Sequence, residues 1–162
     1  MKKFLPLISL LLLITSLHAA PMRRGPVFDF SKGEKAEYST IMQFREIQIT
    51  GLCIMKLSES GIAGSVINEF GIKAFDFVYL KEKNKIVLTN IINYLDKWYI
   101  RRVLRRDWLF LMNAGAEVGT RSEKKRELSL SKEGDIELKN SKYKLTYTFN
   151  PLVKVESDEI AK

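Results

Sequence analysis

The stretch IKAFDFVYL, residues 72–80, has the two-residue alternation that is typical of a β-strand. Three aromatic side chains, Phe75, Phe77 and Tyr79, share one face of this strand, whereas Asp76 lies on the other face. An aromatic face of this kind is typical of a packed core, which is the simpler interpretation. The same face also suits the wall of a ligand cavity.

Similar strands surround this stretch. Between residues 36 and 45 the chain alternates polar residues with Tyr38, Thr40, Met42 and Phe44, which predicts a half-buried strand. The turns SESG, NEFG and KEKNK then separate four further apolar runs. Short strands joined by such turns indicate an antiparallel meander.

The C-terminal third returns to strand signals. Paired leucine and isoleucine residues flank SKEGD at 131–135, which predicts a hairpin, and alternating aromatic and polar residues follow at 143–149. We therefore expect a mainly β protein of the α+β class. Its order is strands, one helical segment, then strands again.

The helical segment contains WYIRRVLRRDWLFLM, residues 98–112. A helical wheel over residues 95–112 gathers one flank of basic and aromatic side chains, which is made of Trp98, Arg101, Arg102, Arg105 and Arg106. The opposite flank is apolar and includes Ile100 and Leu104. We expect Asp96 to cap the start of the helix, and Asn113 with Gly115 to end it.

Asp107 interrupts this pattern, because the wheel places it on the apolar flank. A buried carboxylate is costly unless it is paired. Either Asp107 meets a basic partner at the edge of the core, or the helix breaks near Arg106 and Asp107 caps a second short helix. Sequence favours the break.

The arginine flank has three interpretations. The simplest is a solvated basic face on a helix that packs its other side on a sheet. Contact with a membrane or an acidic partner is the second, since anionic head groups attract clustered arginines and Trp98 suits an interface. Nucleic acid is the third, and we expect none because the chain carries an export signal.

That signal is the N-terminal sequence MKKFLPLISLLLLITSLHAA, which has basic, apolar and small-residue regions in the order of a secretory leader. We expect cleavage after Ala19, with an uncleaved anchor as the alternative. Residues 20–35 then predict an irregular arm, 36–150 the folded domain, and 151–162 a solvated tail. The expected location is the periplasm or the periplasmic face of a bacterial envelope membrane.

Missing residue types argue against an enzyme. The only histidine, His18, lies in the leader, so the mature chain lacks a histidine base, a Ser-His-Asp triad and the usual mixed zinc sites. A single cysteine, Cys53, cannot form an intramolecular disulfide. Without the leader's two lysines, 25 basic residues face 19 acidic ones, a moderate surplus. We expect no catalytic residue, no metal and no cofactor.

Residues 38–111 resemble the family of periplasmic lipoprotein carriers and outer-membrane lipoprotein receptors. The matching pattern is a strand of the form G-I-x-A-x-x-F, here Gly71, Ile72, Ala74 and Phe77, which is followed by a further strand and a helix. The resemblance implies an incomplete antiparallel β-barrel, or half barrel, with the amphipathic helix packed on its concave side. It also implies that the concave side binds acyl chains of lipids or lipoproteins.

Two functional hypotheses follow. In the first, an exported envelope protein binds a lipid or an acylated protein in a cavity of several hundred Å³ between sheet and helix. Its expected walls are Phe44, Phe75, Phe77, Tyr79, Ile100 and Leu104. In the second, an assembly protein with a solid core binds an envelope protein through a free sheet edge or the basic helix.

Overall fold

The computed structural model describes residues 24–152, which form nine β-strands and one helix. The predicted leader and most of the predicted tail lie outside the described residues. The elements are β1 Lys35–Phe44, β2 Ile47–Ser58, β3 Gly61–Asn68, β4 Lys73–Leu80, β5 Lys85–Thr89, α1 Trp98–Asn113, β6 Gly119–Glu123, β7 Arg126–Leu130, β8 Ile136–Asn140 and β9 Leu145–Pro151. The predicted strand–helix–strand order is confirmed.

All nine strands belong to one antiparallel sheet with the order β5-β4-β3-β2-β1-β9-β8-β7-β6. β1 lies at the centre because it pairs with β2 on one side and with β9 on the other. The chain runs outward from β1 to β5, crosses through α1 to the opposite edge, and returns from β6 to β9. The two edge strands do not pair with each other, so the sheet is an open half barrel, as predicted.

The concave face of the sheet carries the core. Tyr38 and Met42 of β1 are buried there, and the predicted parity of β4 is confirmed, since Phe75, Phe77 and Tyr79 are all buried. Alternate residues of β7, β8 and β9 complete the same face. Burying alternate residues of so many strands on one side supplies most of the hydrophobic stabilisation.

Helix α1 covers this concave face, and Trp108 lies at the middle of the contact. Its indole ring is fully buried, and its centroid lies 4.2 Å from that of Phe77 and 5.7 Å from those of Phe75 and Phe149. Phe28 stacks on the same indole at 6.1 Å. The centre of the half barrel is therefore filled with packed aromatic rings.

Residues 24–34 contain no helix or strand, but they contribute to this core. Val27 and Phe28 are buried, and the backbone N–H of Val27 donates to the carbonyl oxygen of Leu111 at 2.9 Å. The N–H of Gly115 donates in turn to the carbonyl oxygen of Gly25 at 2.9 Å. This segment therefore holds the C-terminal end of α1 against the sheet.

The predicted break near Arg106 is wrong, because α1 continues without interruption from Trp98 to Asn113. The expected cap at Asp96 is wrong as well. The N-cap residue is Lys97, which makes no side-chain capping bond, and the Asp96 carboxylate accepts a hydrogen bond from Arg101 Nε instead. The C-terminal end is as predicted, since Gly115 follows the helix with a φ of 76°.

Candidate functional site

An apolar groove lies between the first half of α1 and one end of the half barrel. The sheet side of the groove comes from the β1–β2 hairpin and the start of β9. Its lining contains Met42, Phe44, Ile47, Ile49, Leu95, Tyr99, Ile100, Val103, Leu104, Tyr143 and Leu145. No charged side chain lines the groove, so any group that it binds must be apolar.

The groove encloses a cavity of about 40 Å³. Ordinary ligand pockets enclose roughly 300–1,000 Å³, so the groove is narrow and nearly closed in this conformation. Of the six residues expected to form cavity walls, Phe44, Ile100 and Leu104 line the groove. The structure therefore brings half of the predicted set together at one place.

The other three predicted wall residues belong to β4 and lie outside the groove. Phe75 and Phe77 pack on the indole of Trp108 in the filled centre of the half barrel. Tyr79 is buried near the end of α1, where its hydroxyl donates to Asn84 Oδ1 at 3.2 Å. None of these three lines the groove.

Exposed apolar side chains surround the mouth of the groove. Ile47, Tyr94 and Tyr99 are each more than two-fifths exposed, and Trp98 is 74% exposed. The Trp98 and Tyr99 rings meet edge to face with centroids 6.0 Å apart. Isolated exposed apolar residues are ordinary, but a group of them beside an apolar groove marks a candidate interaction site.

The arginine flank runs along the solvent-facing side of α1. Arg101 pairs with Asp96, and Arg105 Nε donates to the carbonyl oxygen of Arg101 at 3.3 Å. Within residues 24–152, the side chains of Arg102 and Arg106 make no hydrogen bond or ion pair, and Arg105 makes no ion pair. Trp98 and the predicted basic residues thus share one exposed face, on which three arginines have no ionic partner in this part of the chain.

The second half of α1 is held by a buried polar cluster around Asp107. Arg126 Nε donates to Asp107 Oδ1 at 2.6 Å, and Asn140 Nδ2 reaches both carboxylate oxygens at 2.9 and 3.0 Å. The Tyr147 hydroxyl donates to Asp107 Oδ2 at 3.0 Å. Burial and the neighbouring carboxylate raise the pKa of Tyr147 well above its usual value of 10.0.

Asp107 thus has the basic partner that one sequence interpretation required. Its partners come from β7, β8 and β9, which follow the helix in sequence, so no local pattern identifies them. A second polar contact holds the end of the helix, because Asn113 Nδ2 donates to Asn84 Oδ1 at 3.0 Å. The last two turns of α1 are therefore fixed to strands β7, β8 and β9 on one side and to the turn between β4 and β5 on the other.

The predicted turn at NEFG exposes an apolar side chain. Phe70 is 78% exposed at the tip of this turn, next to Gly71, which has a φ of 76°. The single cysteine, Cys53, is buried in the core. Burial raises the pKa of its thiol and keeps the thiol unreactive.

Residues 24–152 hold no group of three or more histidine, cysteine or acidic side chains arranged for a metal ion. No helix in this part of the chain is long and apolar enough to span a membrane. No protein-family model matches the chain, and no curated protein does. The features of residues 24–152 that bear on function are the groove, its exposed rim and the arginine flank.

Proposed function

We propose that this chain is a non-enzymatic binding protein of the bacterial envelope that receives an acyl chain of a lipid or lipoprotein in the apolar groove. The observation that carries the proposal is the lining of the groove, which is aliphatic and aromatic on both its helix and its sheet side. Such a lining gains free energy by excluding water from an apolar ligand and offers no group for chemistry.

The rim and the arginine flank support the same proposal. Trp98 and Tyr99 present amphipathic rings at the mouth, and such rings are favoured at the boundary between apolar chains and water. Arg102 lies on the outer side of the same helix, about one turn after Trp98, without an ionic partner among residues 24–152. An acyl chain entering the groove would therefore leave its anionic end near positive charge.

A groove of about 40 Å³ must widen to admit an acyl chain. The first half of α1 is the wall best suited to move, because its N-cap lacks a side-chain bond and its first turn contains no acidic residue. The second half is fixed by Asp107 and Trp108. Binding would thus displace the start of the helix from the sheet while its end stays in place.

The test is a fluorescence titration of the mature protein with dansyl-undecanoic acid. We expect saturable binding in wild type and at least about tenfold weaker binding in Ile100→Asp, since the variant puts a carboxylate in the apolar groove. Ile41→Asp is the matched control, because Ile41 is exposed on the opposite face of the sheet. Circular dichroism verifies that both variants are folded.

Equal affinities for the two aspartate variants, or no saturable binding by wild type, would contradict the proposal. An acyl lipid that copurifies with wild type from the envelope, but not with Ile100→Asp, would extend it to the natural ligand. The copurified lipid is identified by organic extraction and mass spectrometry.

A second candidate function is supported by the small volume of the groove and by the open sheet. Among residues 24–152, β5 and β6 each pair with a strand on one side only, and an unpaired edge can accept a strand from another protein. In this case an envelope protein would pair with an edge strand. A proline in the middle of β5, Val87→Pro, would abolish capture of that partner and leave fatty-acid binding unchanged.

A further inference from the structure

A second and larger recess lies on the other side of α1, away from the apolar groove. It is bounded by the second half of the helix and by the β6–β7 hairpin, and it has a volume of about 910 Å³. We call it the basic cleft, because it is lined by Arg24, Arg106, Arg121, Lys124 and Arg126 but by only one carboxylate, that of Glu123.

Neighbouring acidic groups neutralise only part of this charge. Asp107 pairs with Arg126, and Glu117 lies 3.8 Å from Arg24 and 4.0 Å from Arg121. Glu123 is the third carboxylate at the cleft. Three carboxylates and five cations leave a surplus of two positive charges there. Arg106 makes no ion pair within the described part of the chain.

Two of the guanidinium groups are held in fixed positions. Arg126 uses Nε for Asp107, and its Cζ lies 5.9 Å from the Phe110 ring centroid, so its two terminal nitrogens remain for another acceptor. Arg121 donates to the backbone carbonyl oxygens of Ala114 and Glu117. Guanidinium groups that are already oriented lose little entropy when they bind an oxyanion.

The β6–β7 turn positions a further cation at the cleft. Lys124 and Lys125 occupy both central positions with φ values of 47° and 71°. A two-residue turn of this left-handed kind favours Asn-Gly, because a larger side chain is strained there. The turn places Lys124 at the rim of the cleft, where its ammonium group lies 3.8 Å from the Glu123 carboxylate.

We propose that the basic cleft binds a phosphate-bearing anion. Phosphate offers several oxygens to converging guanidinium groups, which bind it through paired hydrogen bonds. The cleft floor includes Leu109 and Phe110, so the phosphate can carry an apolar or ring-shaped substituent. The phosphate belongs either to a soluble molecule or to a lipid head group, and the experiment separates these two sources.

The test compares two double variants with the same loss of charge. Arg106→Gln with Lys124→Gln removes two cations of the cleft, whereas the control, Lys125→Gln with Lys132→Gln, removes two exposed lysines that do not line it. Binding of pyrophosphate is measured by calorimetry. Binding to phosphatidylcholine vesicles that contain phosphatidic acid is measured by flotation, with and without pyrophosphate as competitor.

We expect wild type to bind at least one probe, the cleft variant to bind it about tenfold more weakly, and the control variant to bind it within about twofold of wild type. Pyrophosphate binding without flotation assigns a soluble phosphate, and flotation that pyrophosphate reverses assigns a head group. Equal loss in the two double variants, or no binding of either probe by wild type, overturns the proposal. Ile100→Asp should leave pyrophosphate binding unchanged, so failure of the acyl-chain proposal remains a separate result.

Discussion

The two halves of helix α1 differ in how they are held, although both lie on the same sheet. The second half, residues 106–113, places Trp108 and Asp107 at the fully buried centre of the molecule. The first half, residues 98–105, begins without a side-chain cap and exposes Trp98 and Tyr99 beside the apolar groove. The second half is thus held by buried aromatic and polar contacts, whereas the first half combines the buried side chains of Val103 and Leu104 with an exposed aromatic rim.

The difference shows that amphipathicity alone does not describe this helix. Its apolar side is continuous in sequence, but the rings of the sheet fill the space under one half only. Close packing of aromatic rings resists displacement of the second half, whereas the first half packs on the sheet through the aliphatic side chains of Val103 and Leu104. We therefore propose ligand binding at the first half and expect the larger stabilising contacts at the second.

The two tryptophans provide the largest expected contrast. Trp108→Ala should reduce the free energy of unfolding by about 3–5 kcal/mol, because it leaves a cavity among four aromatic rings. Trp98→Ala should change it by less than about 0.5 kcal/mol, because its indole is largely exposed. Urea denaturation measures both. Comparable losses of unfolding free energy in the two variants would mean that both halves of α1 are held equally strongly.

The two aspartates test the same contrast for charge. Asp107→Asn should reduce the free energy of unfolding by about 3 kcal/mol, because it leaves the mostly buried Arg126 without its ionic partner. Asp96→Asn removes the exposed pair with Arg101, for which about 0–1 kcal/mol is expected. Urea denaturation again provides the values. A small effect at Asp107 would show that its cluster does not hold the helix.

The Asp107 cluster should also make stability depend on alkaline pH. The pKa of Tyr147 is raised in the folded state, so the folded protein keeps a proton that the unfolded chain releases above about pH 10. This contribution is complete below pH 10 and is lost as the pH rises through the folded value. Tyr147→Phe should therefore flatten the fall in stability above pH 10. Tyr99→Phe, in the first half of α1, should leave the wild-type slope unchanged.

The smallest expected effect concerns the start of the helix. Lys97→Asp introduces a capping carboxylate at the N-cap and should stabilise the protein by about 1 kcal/mol, whereas Lys97→Ala removes the charge without adding a cap. The aspartate variant should also bind dansyl-undecanoic acid more weakly, because the wall of the groove opens less readily. Tighter binding in Lys97→Asp would contradict a movable first half.

The alternation of residues predicted much of this fold. The faces of β1 and β4, the β7–β8 hairpin and the helix with its C-terminal end are as expected, because local periodicity determines them. β6 was missed because Gly119–Glu123 has no apolar alternation and is a strand through its pairing with β7. Pairing of β1 with β9 joins distant parts of the chain and has no local signal.

The candidate site was less predictable for the same reason. Phe44, Ile100 and Leu104 meet at the groove, but the aromatic face of β4 lies against Trp108, which the wheel did not single out. The buried position of Asp107 depends on Arg126, Asn140 and Tyr147, each contributed by a different strand. Three-dimensional packing, and not periodicity, separates the part of the concave side that is filled with aromatic rings from the part that lines the groove.

Hydrogen–deuterium exchange along α1 tests the central claim most directly. It is followed by mass spectrometry with and without dansyl-undecanoic acid. Amides of residues 101–104 should exchange through local opening and become protected when the ligand binds, while those of residues 109–112 should exchange only through global unfolding. Equal protection along the helix, unchanged by ligand, would contradict a fixed second half and a first half that opens the groove.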